Sequence, residues 1–200
     1  RSLRRQRQMC IRDSNKDSVI GVPGLFKCWL KKNVGIINAV GTGVADDKVV
    51  YSYVNKMIVY YLGEQPALNQ VETYLCHDKI QRDYVLENMS KLVVKPANAS
   101  GGYGIMIGPK ASTKEREEVA QKIKKNPREY IAQPLETLST APTITEKNIE
   151  PRHLDLRPFV LSGKTSYVTT GGLTRVALRK GSTIVNSSQG GGSKDTLIVE

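Results

Sequence analysis

No run of about 18 consecutive apolar residues occurs in the chain, so no segment reads as a membrane-spanning helix. Nothing apolar of adequate length follows the N-terminal arginines either, and no secretory signal is expected. Cysteine is scarce: Cys10, Cys28 and Cys76 are odd in number and show no Cys-x-x-Cys spacing, which excludes a zinc-knuckle or disulfide framework. They read as free thiols of a reducing compartment, and a cytoplasmic location is expected. Aromatic residues make up only 6% of the chain, too few for a surface that stacks bases. Acidic residues are missing from the first dozen positions, and five of the net +11 charges sit there, on Arg1, Arg4, Arg5, Arg7 and Arg12. Beyond that stretch lysine and arginine alternate with acids and form no stripe, so a basic nucleic-acid-binding domain is the weakest reading.

Two familiar phosphate motifs are also missing. No Gly-Lys-Ser/Thr follows a four-residue gap after glycine, which excludes a P-loop, and no Gly-x-Gly-x-x-Gly fingerprint opens a helix. What stands in their place is Leu92-Val-Val-Lys-Pro-Ala-Asn-Ala-Ser-Gly-Gly-Tyr-Gly104, an apolar strand that delivers Lys95 beside a loop of three glycines. Glycine lets backbone N–H groups approach a ligand closely, and a lysine supplies the point charge that polyphosphate oxygens need. A second run, Asn186-Ser-Ser-Gln-Gly-Gly-Gly-Ser-Lys-Asp195, follows near the C-terminus. Alone, the first motif is equally an ordinary hairpin with a solvated lysine. The order of lysine strand, glycine loop, helix, strand ending in Gln133-Pro134 and arginine-bearing meander favours a nucleotide site.

The segment Arg5-Gln-Arg-Gln-Met-Cys-Ile-Arg-Asp-Ser14 looks like a translated sequencing adaptor, so residues 1–14 are set aside as a non-native extension. Residues 15–75 read as a strand–helix segment. A short helix opens near Val19–Leu25, the run Val34–Val40 has strand length, and Asp46 or Asp47 caps a helix reaching Leu62, with Val50, Val54, Met57, Ile58 and Tyr61 inward. Residues 76–135 read as a nucleotide-flap lobe. It holds a helix from His77 to Asn88 with Ile80, Tyr84 and Leu86 on its apolar side, the Lys95 strand, a returning strand at Ile105–Gly108, a helix opened by the capping box Ser112-Thr-Lys-Glu115, and the strand Tyr130–Pro134. Residues 136–200 read as a β-meander: strands at 156–161, 165–170, 173–178 and 183–187, turning at Ser162–Lys164, Gly171–Gly172 and Arg179–Gly181. Alternation puts Asp155, Arg157 and Phe159 on one face, and Arg175 with Ala177 on one face of the third strand.

Seven segments in this order resemble the circularly permuted type 2 ATP-grasp family: residues 19–25, 37–44, 92–104, 130–134, 152–159, 171–177 and 186–195. The resemblance spans about residue 15 to Glu200 and implies an α+β, ATP-grasp-like fold of two small lobes, each a mostly antiparallel sheet with flanking helices. It implies ATP and Mg2+ as cofactors and small-molecule or peptide carboxylate and amine substrates. It also implies that Lys95 contacts the α- and β-phosphates, that Ser100, Gly101, Gly102 and Gly104 form a flap over them, and that Gln133 lies near the adenine. Arg157 and Arg175 would be the catalytic cations at the γ-phosphoryl group. Asn186 and Gln189 either contact the nucleotide or hold their glycine turn. His77 and His153 receive no proton-transfer role, because neither shows a relay partner.

The permuted family carries its magnesium-binding acidic strand, of Glu-Asp-Asn type, upstream, and no such motif precedes Val19. The chain is therefore expected to be the C-terminal part of a longer, incomplete ATP-grasp: an ATP-dependent carboxylate–amine ligase whose fragment binds nucleotide weakly and does not turn over. A non-catalytic nucleotide-binding scaffold is the alternative.

Overall fold

The computed structural model describes residues 23–36, 42–99, 103–145, 148–183, 185 and 190–196. They form two compact units: the first runs up to Ala99 and from Gly104 to Pro134, and the second holds Tyr103 and the residues from Leu135 onward. The first holds helices α1 (Leu25–Leu30), α2 (Lys48–Tyr51), α3 (Val54–Leu62), α4 (Lys79–Asn88) and α5 (Thr113–Lys125), and strands β1 (Tyr74–Leu75), β2 (Leu92–Pro96), β3 (Met106–Ile107) and β4 (Tyr130–Pro134). The second holds β5 (Thr140–Ile144), β6 (Ile149–Ser162), β7 (Ser166–Ala177) and β8 (Gly191–Lys194). Each sheet is antiparallel and four-stranded, in the orders β1-β4-β2-β3 and β5-β6-β7-β8. The α+β expectation therefore holds.

In the first unit the period of two divides β2 between two environments. Leu92 and Val94 face α4 and α5, in a core with Cys76, Val85, Met89, Met106, Ile123 and Ala132. Val93 and Lys95 face the other way, on the side where Val49 of α2 packs with Leu75, Ala97 and Ile131. The two covering helices start where the sequence says they should. Asp78 accepts a hydrogen bond from the Gln81 amide at 2.9 Å, and Ser112 and Glu115 form a reciprocal capping box that satisfies two orphan amides. The returning strand β3 and the strand β4 also fall where they were expected.

Several expectations fail, each for a local reason. Of the strand expected at Val34–Val40, the described residues Val34–Ile36 carry no strand, and the rest lies outside the described residues. The helix expected from Asp47 to Leu62 is two helices, broken at Ser52–Tyr53, where the Ser52 hydroxyl donates back to the Val49 carbonyl at 2.7 Å and competes with the helical ladder. Its expected apolar stripe is not buried: α3 has no buried residue, and Tyr61 is 75% exposed. On α4 the inward residue is Val85, with Leu86 beside it, whereas Ile80 is 82% and Tyr84 43% exposed.

The meander is also rearranged. Gly171–Gly172 is no turn: β7 runs straight through it, Gly172 pairing with Pro158, and the irregularity is taken up by a register shift between Pro158 and Val160 on β6. A side chain at Gly172 would come within 3.1 Å of the Arg157 carbonyl, so any residue larger than glycine would push the two strands slightly apart. The last strand is Gly191–Lys194, in the second glycine run; Thr183 and Val185 of the expected strand carry none. The extra strand β5 pairs with the first part of β6. Lys194 of β8 donates to the Pro142 carbonyl and lies 3.4 Å from the Thr143 hydroxyl, which draws the two edge strands together.

Candidate functional site

Lys95 sits on β2 opposite Ile131, and the antiparallel register sets Gln133 of β4 against Val93, so Lys95 and Gln133 are diagonal neighbours on one face. The Lys95 Nζ donates to Gln133 Oε1 at 2.6 Å. The other end of the amide, Nε2, donates to Thr73 Oγ1 at 2.8 Å, and Thr73 donates in turn to the Val71 carbonyl at 3.0 Å. Gln133 is buried and Lys95 half-buried.

A second lysine belongs to this face. Asp47 caps α2 by accepting from the Val49 amide at 2.8 Å, and its other oxygen meets Arg128 at 2.9 Å. Burial alone would raise the Asp47 pKa, but the Arg128 hydrogen bond and the Val49 amide outweigh it and hold the carboxyl below its ordinary value. Lys48, the next residue, is thereby anchored: its amide donates to the Ala97 carbonyl at 2.9 Å and its Nζ to the Ala99 carbonyl at 2.7 Å. Burial first, and the Lys48 charge second, push the Lys95 pKa down from the ordinary lysine value. Among the described residues no carboxylate forms an ion pair with Lys95. A desolvated ammonium with a like charge nearby and only a neutral amide to hold it is suited to receive an anion.

Of the glycine loop that follows, Gly104 is described. It has φ +71°, and a side chain there would come within 3.0 Å of Pro96, two reasons for glycine at the foot of the loop. Ser100, Gly101, Gly102, Asn186 and Gln189 lie outside the described residues.

In the second unit Asp155 and Arg175 are direct cross-strand partners on β6 and β7, and Arg157 lies two residues along the same face. Asp155 Oδ2 accepts from Arg157 Nη2 at 3.0 Å and Nε at 3.3 Å, while Oδ1 is shut from solvent with no hydrogen-bond partner among the described residues. Arg152, on the opposite face, is 7% exposed and structural: it donates to Glu150 at 2.6 Å and to the Leu178 carbonyl at 3.2 Å. His153 Nδ1 meets the Leu138 carbonyl at 2.8 Å; a carbonyl only accepts, so this nitrogen carries the hydrogen and the ring fixes the β5–β6 entry. His77 is exposed.

Sequence reasoning missed Thr73 and Lys48. Thr73 carries no motif, and its signal is only that it precedes a strand whose register aligns it with Gln133. Lys48 could have been found as the first residue after a helix-capping aspartate.

No group of three His, Cys, Asp or Glu side chains able to hold a metal occurs among the described residues. The free oxygen of Asp155 shares its carboxylate with a guanidinium, which opposes a divalent cation, so the described residues do not by themselves fit magnesium. No described helix is long and apolar enough to cross a membrane.

Comparison with known proteins bears on these features. The chain is 56% identical over 185 residues to an uncharacterized protein of Synechocystis sp., covering 92% of this chain and 38% of that protein. It is 53% identical over 184 residues to an uncharacterized protein of Mycobacterium bovis, covering 92% of this chain and 33% of the relative. A Frankia casuarinae protein named "Putative glutamate--cysteine ligase 2-2" is 51% identical over 179 residues, 90% of this chain and 21% of its own length. The chain thus spans about a third of the length of the first two relatives. Residues 3–177 match the family description circularly permuted ATP-grasp type 2, and the chain belongs to that family.

Proposed function

We propose that this chain is the nucleotide-binding part of an ATP-dependent ligase that joins a carboxylate to an amine. The observation that carries the proposal is the Lys95 ammonium, partly desolvated and held by the neutral Gln133 amide in place of a carboxylate. Lys95 would neutralise the α- and β-phosphates, with Gly104 and the glycines before it approaching the same oxygens and Gln133 lying toward the base side. Arg157, aimed by Asp155, and Arg175 would meet the γ-phosphoryl group and the developing acyl phosphate. Phosphoryl transfer needs positioning and charge neutralisation more than covalent help from side chains, and these residue types supply both.

In the reaction the substrate carboxylate oxygen attacks the γ-phosphorus and ADP leaves with the bond electrons. The amine then attacks the acyl carbon, inorganic phosphate departs, and the amine loses a proton. The relative named as a glutamate–cysteine ligase supports this class of substrate pair. Magnesium would supply charge neutralisation of the phosphates; no step here depends on it.

Calorimetric titration of ATP into the chain and into Lys95→Ala tests the phosphate role: at least a tenfold loss is expected, and unchanged affinity refutes it. The reaction class is tested in the full-length Synechocystis relative, where ADP release should depend on adding a carboxylate together with an amine. Glutamate and cysteine are the first pair to try.

A further inference from the structure

We propose that Thr73 is a positioning residue for the Lys95 ammonium, acting through Gln133 by a hydrogen-bond relay that can run in only one direction. The inference rests on the reading of Lys95 as a phosphate ligand. Its geometry, however, is complete within one unit and on described residues.

The direction follows from the donors. An ammonium has three hydrogens and no lone pair, so the Gln133 atom at 2.6 Å from Lys95 Nζ must be its carbonyl oxygen. That choice points the amide nitrogen, a donor only, at Thr73, 2.8 Å away. The Thr73 oxygen therefore accepts, and its single hydrogen is left for the Val71 carbonyl at 3.0 Å, which can do nothing but accept. Each link has one polarity, and the chain ends on backbone just before β1. A glutamine amide turned over would present its NH2 group to the ammonium, donor against donor. Burial of Gln133 makes the alternative costly, because its amide nitrogen would lose its partner without gaining water.

The consequence is electrostatic. Lys95 is desolvated and has the Lys48 ammonium, from α2, acting on it, both of which disfavour its charge. The groups contributed by β4 and by the residue just before β1, Gln133 and Thr73, are neutral, and the Gln133 carbonyl favours the ammonium only in the orientation that the Thr73 acceptor supports. Thr73 thus helps keep Lys95 both charged and in place before an anion arrives.

The decisive experiment removes the hydroxyl and keeps the shape. The Lys95 side chain is titrated by NMR in the wild type, Thr73→Val and Thr73→Ser, and ATP affinity is measured by calorimetry on the same three proteins. Thr73→Val should titrate at lower pH and bind ATP roughly three- to tenfold more weakly, the span of one hydrogen bond, while Thr73→Ser restores both. An unchanged Lys95 midpoint in Thr73→Val, or a Thr73→Ser that fails to rescue, overturns the assignment. If Thr73→Val does not fold, Thr73→Ala removes the hydroxyl without adding bulk. Lys95→Met separates the two claims: if it binds ATP like the wild type, the phosphate reading falls while the NMR titration still decides Thr73. If Lys95→Met loses ATP and Thr73→Val matches the wild type in both measurements, the Thr73 assignment alone falls.

Discussion

Asp155 holds Arg157 through one carboxylate oxygen, at 3.0 and 3.3 Å, and keeps the other oxygen buried and without a partner among the described residues. Two hydrogen bonds to a single oxygen fix the direction in which the guanidinium points. The two side chains are 28% and 46% exposed, and a pair that wet contributes little: Asp155→Asn should change unfolding free energy by less than about 1 kcal/mol. The corresponding change in the full-length Synechocystis relative should lower ATP-dependent turnover between about tenfold and a hundredfold, because the arginine loses its direction. Denaturant melts and steady-state rates check this together, and a variant destabilised yet catalytically normal would make the pair structural.

Gly108 follows β3 where the chain passes under Met89. A Cβ there would overlap the Met89 carbonyl oxygen and come within 2.5 Å of that of Leu92, both of them backbone that cannot swing aside. Gly108→Ala should therefore cost about 3 kcal/mol or more, at the upper end of overpacking effects. Chemical denaturation gives the number, and a loss below about 0.5 kcal/mol would mean that the β3 hairpin relaxes freely.

Ser112 and Glu115 bond reciprocally at the start of α5, the helix that carries Ile123 into the core. Ser112→Ala should destabilise the chain by about 1 kcal/mol, and Ser112→Asp, which caps equally well, should not. Thermal unfolding of the two variants distinguishes capping from a packing role, since a packing role would penalise both.

Cys28 is exposed, and Cys76 is buried in the core under α4, where desolvation raises its thiol pKa to about 11 against a weaker opposing pull from Arg82. The thiolate is the reactive form, so near neutral pH Cys76 should resist iodoacetamide in the native chain and react once it is unfolded. Mass spectrometry of labelled peptides reads this directly, and native labelling of Cys76 at the rate of Cys28 would show that the core opens easily.

How much of this could be read in advance depends on whether a feature is local. The capping box, the helix between His77 and Asn88 and the strands around Lys95 and Gln133 are written in short patterns, and they fold as written. Ile80 and Tyr84, one turn apart, resemble an inward pair, whereas packing against Ala132 and Val94 turns Val85 inward. Gly171–Gly172 resembles a turn in local sequence; only the pairing of Gly172 with Pro158, and the 3.1 Å approach of the Arg157 carbonyl, show that a continuous strand favours glycine at position 172. The Lys95 and Gln133 side chains could each be singled out, but their meeting depends on a cross-strand register, and Thr73 joins them from the position just before a third strand.

The depressed pKa of Lys95 makes a pH prediction with a definite sign. Burial and the Lys48 charge lower it in the folded chain, so between that lowered value and the ordinary lysine value of 10.5 the folded state binds fewer protons than the unfolded one. Stability contributed by this group therefore rises with pH across that window, and the rise should vanish in Lys95→Met. Nucleotide binding runs the opposite way. A phosphate favours the charged ammonium, so ATP affinity should be flat below the lowered pKa and fall above it by up to about tenfold per pH unit, with proton uptake on binding. In Lys95→Arg the guanidinium stays charged, and its ATP affinity, whatever its level, should lack that fall. Calorimetry in two buffers of different ionisation enthalpy measures both the affinity and the proton uptake. Parallel pH profiles for the wild type and Lys95→Arg would show that the ammonium does not face the phosphates.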